Sequence, residues 1–252
     1  MRRQPFGGWK KSTVGTGTKA GGPNYLIALG DWTSKKATAI ASPSNEKARE
    51  LLNRAREPHA LTQEQIEFLS RSASSDAEAW ATEFGVHHDP SQLGIERNIL
   101  RYVAQRVHVR ADESASLAET LRVVAAGLAA EAPIDLSVAT QLPVYVRGAL
   151  ESAGVNITIE TDDAWRTSLR GIRNIKPAGL VGTRFEGCRI RYIGDDHGSV
   201  FEALGGRPDV AVYHHEVTEA GRIEMLPFLH EQAVSITAHR FGNPNHFSDA
   251  VI

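Results

Sequence analysis

The sequence has a single cysteine, Cys188, in 252 residues. That excludes an intrachain disulfide and fits a reducing compartment. No uninterrupted apolar stretch approaches the roughly 20 residues a membrane helix needs. The first 25 residues lack the apolar core and small-residue cleavage site of a secretory signal. Charge of one sign is also lacking. The formal net charge is −2, whereas nucleic acid or an anionic membrane would call for a basic excess. The short basic pairs Lys10-Lys11 and Lys35-Lys36 read as solvated surface. Neither an internal repeat nor a low-complexity tract is present. What remains is ordinary for a globular chain, with 41% apolar and 23% charged residues. The expectation is a soluble, cytoplasmic protein with no nucleic acid and no membrane among its partners.

Along the chain, residues 1–45 are rich in Gly, Ser, Thr, Lys and Pro and read as loop. "SNEKARELLNRARE" (44–57) opens on a Ser/Asn cap and sets Ala48, Leu51, Leu52 and Ala55 at helical spacing. A second helix follows over 61–85, with Thr62 and Gln65 at capping-box spacing and Gly85 as its stop. From residue 96 the pattern becomes alternating. Strands are expected at 97–110, 134–139, 155–161, 178–183, 188–194 and 209–217. Helices are expected at 115–132, 142–154, 162–172 and 198–206. The last stretch reads as one long strand over 231–241, a Gly-Asn-Pro-Asn turn and a tail. Strands alternating with helices of about ten residues or more give an α/β fold, a mostly parallel, doubly wound, Rossmann-like sheet. A loop-rich segment and a helical connector precede it. Three regions are expected: 1–45, 46–95 and 96–252.

Signals for chemistry are few. A phosphate loop needs a strand before it and a helix after it. "GTGTKAGG" (15–22) has neither, so its glycines read as allowing close backbone approach and positive φ. After the strand at 134–139, where a dinucleotide fingerprint would lie, "TQLPVYV" holds no glycine. His87-His88 and His214-His215 are adjacent pairs, which in extended chain point to opposite faces and form no chelate. With one cysteine and no HExxH spacing, no metal site is expected. Cys188 reads as a buried, inert thiol, and no G-x-S-x-G elbow is present.

The two ends carry a resemblance. "QPFGG" (4–8) followed by "GTGTKAGGPNYL" (15–26) resembles the C-terminal portion of aldehyde dehydrogenases. More narrowly, it is similar to the L-glutamate γ-semialdehyde (1-pyrroline-5-carboxylate) dehydrogenases of proline catabolism, including those fused to a proline dehydrogenase. The far end, "HEQAVSITAHRFGNPNHFSDAVI" (230–252), resembles the closing motif of the long bifunctional members. These carry an extra C-terminal domain, a dinucleotide-type sheet that binds no nucleotide. The resemblance implies an NAD-dependent oxidoreductase acting on L-glutamate γ-semialdehyde. In that family the catalytic cysteine, its general-base glutamate and the NAD-binding half all precede "QPFGG". This chain is therefore expected to be a downstream piece, with residues 1–45 the end of the dehydrogenase module and the missing N-terminal portion as its partner.

The resemblance implies no catalytic residue in this chain, no cofactor bound to it alone, and one substrate-binding element, Phe6 with Gly7 and Gly8. Phe6 is similar to the aromatic wall that packs on the aldehyde's aliphatic chain, the alternative being an ordinary core ring. "WKKSTVG" is longer than the commoner "xxxSGTG", so no role is carried over between Trp9 and Val14. The chain would complete the substrate pocket, cover the enzyme or help it assemble, as a possible homo-oligomer. A free-standing Rossmann-like nucleotide-binding or oligomerisation module is the rival reading.

Overall fold

The structure, a computed structural model, describes residues 4–5, 17–30, 45–57, 60–171 and 188–246. After a 3-10 turn (Tyr25–Leu29) come two α-helices, α1 (Glu46–Ala55) and α2 (Gln63–Ala79). The Asn45 side chain caps α1 by accepting from the Lys47 and Ala48 amides. The Thr62–Gln65 box caps α2 in both directions, at 2.9 and 3.2 Å. The end of α2 runs into a π-helical turn, Trp80–Phe84, stopped where the Gly85 amide donates to the Trp80 carbonyl at 2.8 Å. A Cβ on Gly85 would lie 2.8 Å from that oxygen, so the stop needs glycine.

The strand-like stretch 97–110 forms two strands, not one. They are β1 (Glu96–Ala104) and β2 (Val107–Ala111), which belong to different sheets. The break falls at Gln105-Arg106, where the Gln105 amide turns to the Phe228 carbonyl and the Val107 amide to Pro133. No glycine or proline marks that break, so the whole stretch reads as strand. After β2 come α3 (Leu117–Ala129), β3 (Ile134–Val138), α4 (Val144–Ser152), β4 (Asn156–Ile159), α5 (Asp162–Gly171), β5 (Arg189–Ile193), α6 (His197–Leu204) and β6 (Ala211–Tyr213). Their strands make a five-stranded parallel sheet in the order β4-β3-β2-β5-β6. This is a doubly wound α/β fold with its switch point between β2 and β5. The strand expected at 178–183 lies outside the described residues.

Each face of the sheet has its own core. On one face Val107, Val109, Ile134, Leu136 and Val138 pack with α1, α2, α3 and α4. On the other, Cys188 and, from β5, Ile190 and Tyr192 pack with Trp165 and Leu169 of α5 and Val200 and Ala203 of α6. Gly127 lets α3 close onto this structure, because a Cβ there would come within 2.6 Å of Phe228 and 2.7 Å of Ile134.

The chain ends in α7 (Gly221–Glu224), a 3-10 turn (Leu226–Phe228) and β7 (Leu229–Thr237), which pairs antiparallel with the whole of β1 as a two-stranded ribbon. The long strand expected over 231–241 stops at Thr237. A small hairpin, β8 (His239–Arg240) with β9 (Asn243–Pro244), follows and turns at Phe241-Gly242, both with positive φ.

Among the described residues four arginines are buried on and around the sheet, Arg110, Arg122, Arg189 and Arg191. Each is met. Arg191 on β5 forms a two-point pair with Glu224 of α7, at 2.6 and 3.1 Å, and neither side chain has any exposed surface. Arg122 of α3 does the same with Asp76 of α2, at 2.8 and 2.9 Å. Arg189 donates to the carbonyls of Leu226, Pro227 and Leu229. Burial pushes the Glu224 carboxyl up, but Arg191 and His215 together hold it well below the usual carboxylate range. Glu224→Ala leaves Arg191 as an uncompensated buried charge, so urea unfolding should show a loss of about 3–5 kcal/mol. The double variant Arg191→Met with Glu224→Leu should recover most of that loss.

Candidate functional site

In an open α/β sheet, ligands sit beyond the C-terminal strand ends at the switch point. Here that crevice lies between the ends of β2 and β5, and Asp112 fills it. Its Oδ1 accepts from the Ser114 amide at 2.8 Å, the Ser114 hydroxyl at 2.7 Å and the Ala115 amide at 3.2 Å. Its Oδ2 accepts from the Tyr192 hydroxyl of β5 at 2.5 Å. Across from it, Gly194 (φ +148°) has no room for a side chain, since a Cβ would sit 1.9–2.2 Å from all three carboxylate atoms. Burial pushes Asp112 up, but the donors from Tyr192, Ser114 and Ala115 outweigh it and hold the carboxyl below its ordinary range. The amides that would greet a phosphate are engaged by the chain's own anion. Beside them stands Asp162, paired with Arg110.

A second polar centre joins the two ends of the chain. Asn24, at 0% exposure, donates through Nδ2 to Glu231 Oε1 at 2.5 Å and to the Tyr102 hydroxyl at 3.1 Å. Its Oδ1 accepts from Arg222. Tyr102 passes its own hydrogen to Glu83 at 3.0 Å, and Glu83 pairs with Arg222. The Lys19 amide donates to the second oxygen of Glu231 at 3.3 Å. Glycine makes this approach possible. Gly21 turns at φ +73°, and a Cβ on Gly22 would lie 2.9 Å from Pro5 and 3.0 Å from Glu231. Gln4 completes the seam, its amide donating to the carbonyls of Ile99 and Val234 on the paired ribbon strands. "KAGGPNYL" and "HEQAVSIT", over 200 residues apart in sequence, thus meet on one buried carboxylate. Sequence reading marked both stretches, but neither Asn24 nor Glu231 within them. The proline-asparagine pair after two glycines was the available signal.

Cys188 is 9% exposed, and burial pushes its thiol up to about 12. It packs with Trp165, Leu169 and Ile190 as a small core residue. Among the histidines, His88 contacts the Glu83 carbonyl at 2.9 Å, His215 lies 3.7 Å from Glu224, and His214 stacks on His197. Among the described residues no three His, Cys, Asp or Glu side chains converge as metal ligands, and no helix is long and apolar enough to cross a membrane. Phe6, Gly7 and Gly8 lie outside the described residues.

No family model matches the chain, and no curated protein matches it. Among solved structures, proline utilization A (PutA) from Corynebacterium freiburgense is similar over 96% of this chain, at 31% identity and a TM-score of 0.57. The chain spans 19% of that protein's length. A variant of PutA from Bradyrhizobium japonicum is 19% identical, covering 69% of this chain and 20% of its own, with a TM-score of 0.46. A NAD-dependent benzaldehyde dehydrogenase from Corynebacterium glutamicum is 15% identical, covering 67% and 37%, with a TM-score of 0.40. The last two likenesses are too loose to carry an argument.

Two outcomes are expected at the junction. Gly22→Ala forces its new methyl into Pro5 and Glu231, an overpacking worth about 1–3 kcal/mol. Hydrogen exchange should then quicken over 19–27 while β2 stays protected; unchanged exchange would mean the approach is not tight. Burial, with Arg189 and Lys19 close by, pushes half-buried His230 down to about 4. The unfolded chain therefore binds more protons at this residue between roughly pH 6.5 and 4. Its contribution is complete above pH 6.5 and declines as the pH falls to 4, by about 1–2 kcal/mol after solvent screening. His230→Gln should remove that component from a stability–pH profile.

Proposed function

We propose that this chain does the work of the C-terminal part of an NAD-dependent L-glutamate γ-semialdehyde (pyrroline-5-carboxylate) dehydrogenase in proline catabolism to glutamate. The observation that carries the reading is the 31% identity to a PutA across 96% of the chain. In the proposed reaction a thiolate adds to the aldehyde carbon, hydride leaves that carbon for NAD, and water releases the carboxylate. Cys188 is ill suited to be that thiolate, because a thiol pushed up to about 12 is protonated at neutral pH. The sheet is equally ill suited to hold the dinucleotide. Asp112 already engages the Ser114 and Ala115 amides and puts a negative charge where phosphate would lie. On this reading the reacting groups and the cofactor site belong to other polypeptide.

What the chain contributes is shape and hold. Phe6, followed by Gly7 and Gly8, is the proposed apolar wall against the substrate's alkyl portion, where a ring orients the chain and excludes water. The Asn24–Glu231 contact and the Gln4 bonds to the ribbon fix the chain on either side of that wall. The doubly wound sheet then serves as a closed cover. Cytoplasmic location is part of the same proposal, supported by the single unpaired cysteine.

The test is direct. The purified chain, given L-glutamate γ-semialdehyde and NAD, should produce no reduced nicotinamide above the blank in an absorbance assay. Turnover, or saturable NAD binding by calorimetry, would overturn the assignment of those roles to other polypeptide.

A further inference from the structure

His197 opens α6 and His214 directly follows β6. Their imidazoles stack, with ring centroids 4.4 Å apart and planes inclined by 14°. Phe201, one turn further along α6, sets its ring edge-on to His214 at 5.3 Å. All three residues are exposed. Asp196 fixes the start of α6 by accepting from the Ser199 amide at 3.3 Å, and Arg166 of α5 holds its other oxygen at 3.1 Å. β6 is three residues long, and among the described residues it pairs with β5 alone. The stack is therefore a side-chain tie between the first turn of α6 and the end of the sheet's outermost strand. The charge close to the tie is mostly of one sign. Arg191 of β5 donates to the Tyr213 carbonyl, one residue before His214, at 3.4 Å, and His215 is the next residue along. The nearby carboxylates are engaged, Asp196 with Arg166 and the helix cap, Asp163 of α5 with Arg166, and Glu224 of α7 with Arg191. Asp195 and Glu216 point their charge at water from exposed positions. Among the described residues the histidine–carboxylate pairs are His108–Asp135 and His215–Glu224, and neither stacked ring has one.

We propose that the His197–His214 stack is an acid-sensitive latch, closed while the rings are neutral and opened when both take a proton. Two imidazolium rings held face to face repel each other, and no carboxylate stands ready to screen them. Loss of water from the stacked face, then the positive charge of His197, His215 and Arg191, push His214 below its ordinary range. The closed latch thus holds protons less readily than the open one, and acid favours opening. Its hold is complete above about pH 6.5 and weakens as the pH falls below that value. Opening frees the first turn of α6 and the end of β6, which has a strand partner on one side only. Val200, Ala203 and Leu204 lie in the core beneath α6 and keep the rest of the helix on the sheet. The response is local to this edge, and the proposal does not rest on the dehydrogenase reading.

The experiment is hydrogen exchange of the whole chain across this pH range, corrected for the intrinsic pH dependence of amide exchange, with imidazole titration by NMR. Protection over 197–201 and 211–214 should fall about tenfold between about pH 7.5 and about pH 5.5, while β2 and β3 keep theirs. His197→Gln and His214→Gln change exposed rings, and each should reduce that fall to about twofold or less. In His197→Gln the titration midpoint of His214 should also rise, because a positively charged neighbour and a shielding face are gone. The proposal is overturned if protection at α6 and β6 does not respond to pH, or if the fall survives both variants. It is equally overturned if His214 titrates at the same pH with and without His197. The NAD reduction assay reads none of these results, so either proposal can fail alone.

Discussion

A carboxylate stripped of all water has to be met by charge, and Glu224 is met on several sides. Arg191 grips both oxygens, and the Thr218 amide donates to the one that His215 also approaches. The helix that carries it, α7, is one turn long and would not persist alone. It persists because each of its contacts is made elsewhere. Gly221 lies so close to α2 that a Cβ would come within 2.5 Å of the Ser75 carbonyl. Arg222 reaches forward to Glu83 and Asn24. Glu224 reaches back into the sheet. This one turn thereby binds strand β5, the helical layer and the N-terminal segment into one arrangement. The buried pair is costly to desolvate, and an apolar substitute could match its stability. What the pair adds is direction, since a guanidinium fork accepts a carboxylate in few orientations.

The doubly wound core was legible because period and length agree there. The apolar residues of 134–138 cannot be helical at that length, and the Ser116–Glu119 and Thr62–Gln65 boxes mark their helices from sequence alone. What sequence could not show was partner choice. Residues 97–110 read as one strand with no glycine or proline to divide them, yet Gln105 finds the Phe228 carbonyl and passes the chain between two sheets. Strand pairing with a segment over a hundred residues away leaves no local mark. The Glu231–Asn24 contact escaped for the same reason. The purpose of the glycines was legible in kind, as room for close approach, but not in detail. Nothing in "KAGGPN" says that the approaching group is a glutamate from the other end of the chain.

At the switch point the chain's own carboxylate takes the place where a fold of this kind can seat a ligand. The strands, the order and the crossover from β4 to β5 are those of a nucleotide sheet. The donors that would hold a phosphate are also present, as Ser114 and Ala115 amides. One carboxylate, placed at the end of β2, consumes them and draws Tyr192 across from β5. Gly194 is then needed for a reason opposite to the usual one. A glycine in a phosphate loop makes room for a ligand, and here it makes room for Asp112. An aspartate is also self-reinforcing in that position, because each donor it gains lowers its tendency to protonate and leave. The result is a crevice whose backbone donors are occupied by a buried carboxylate.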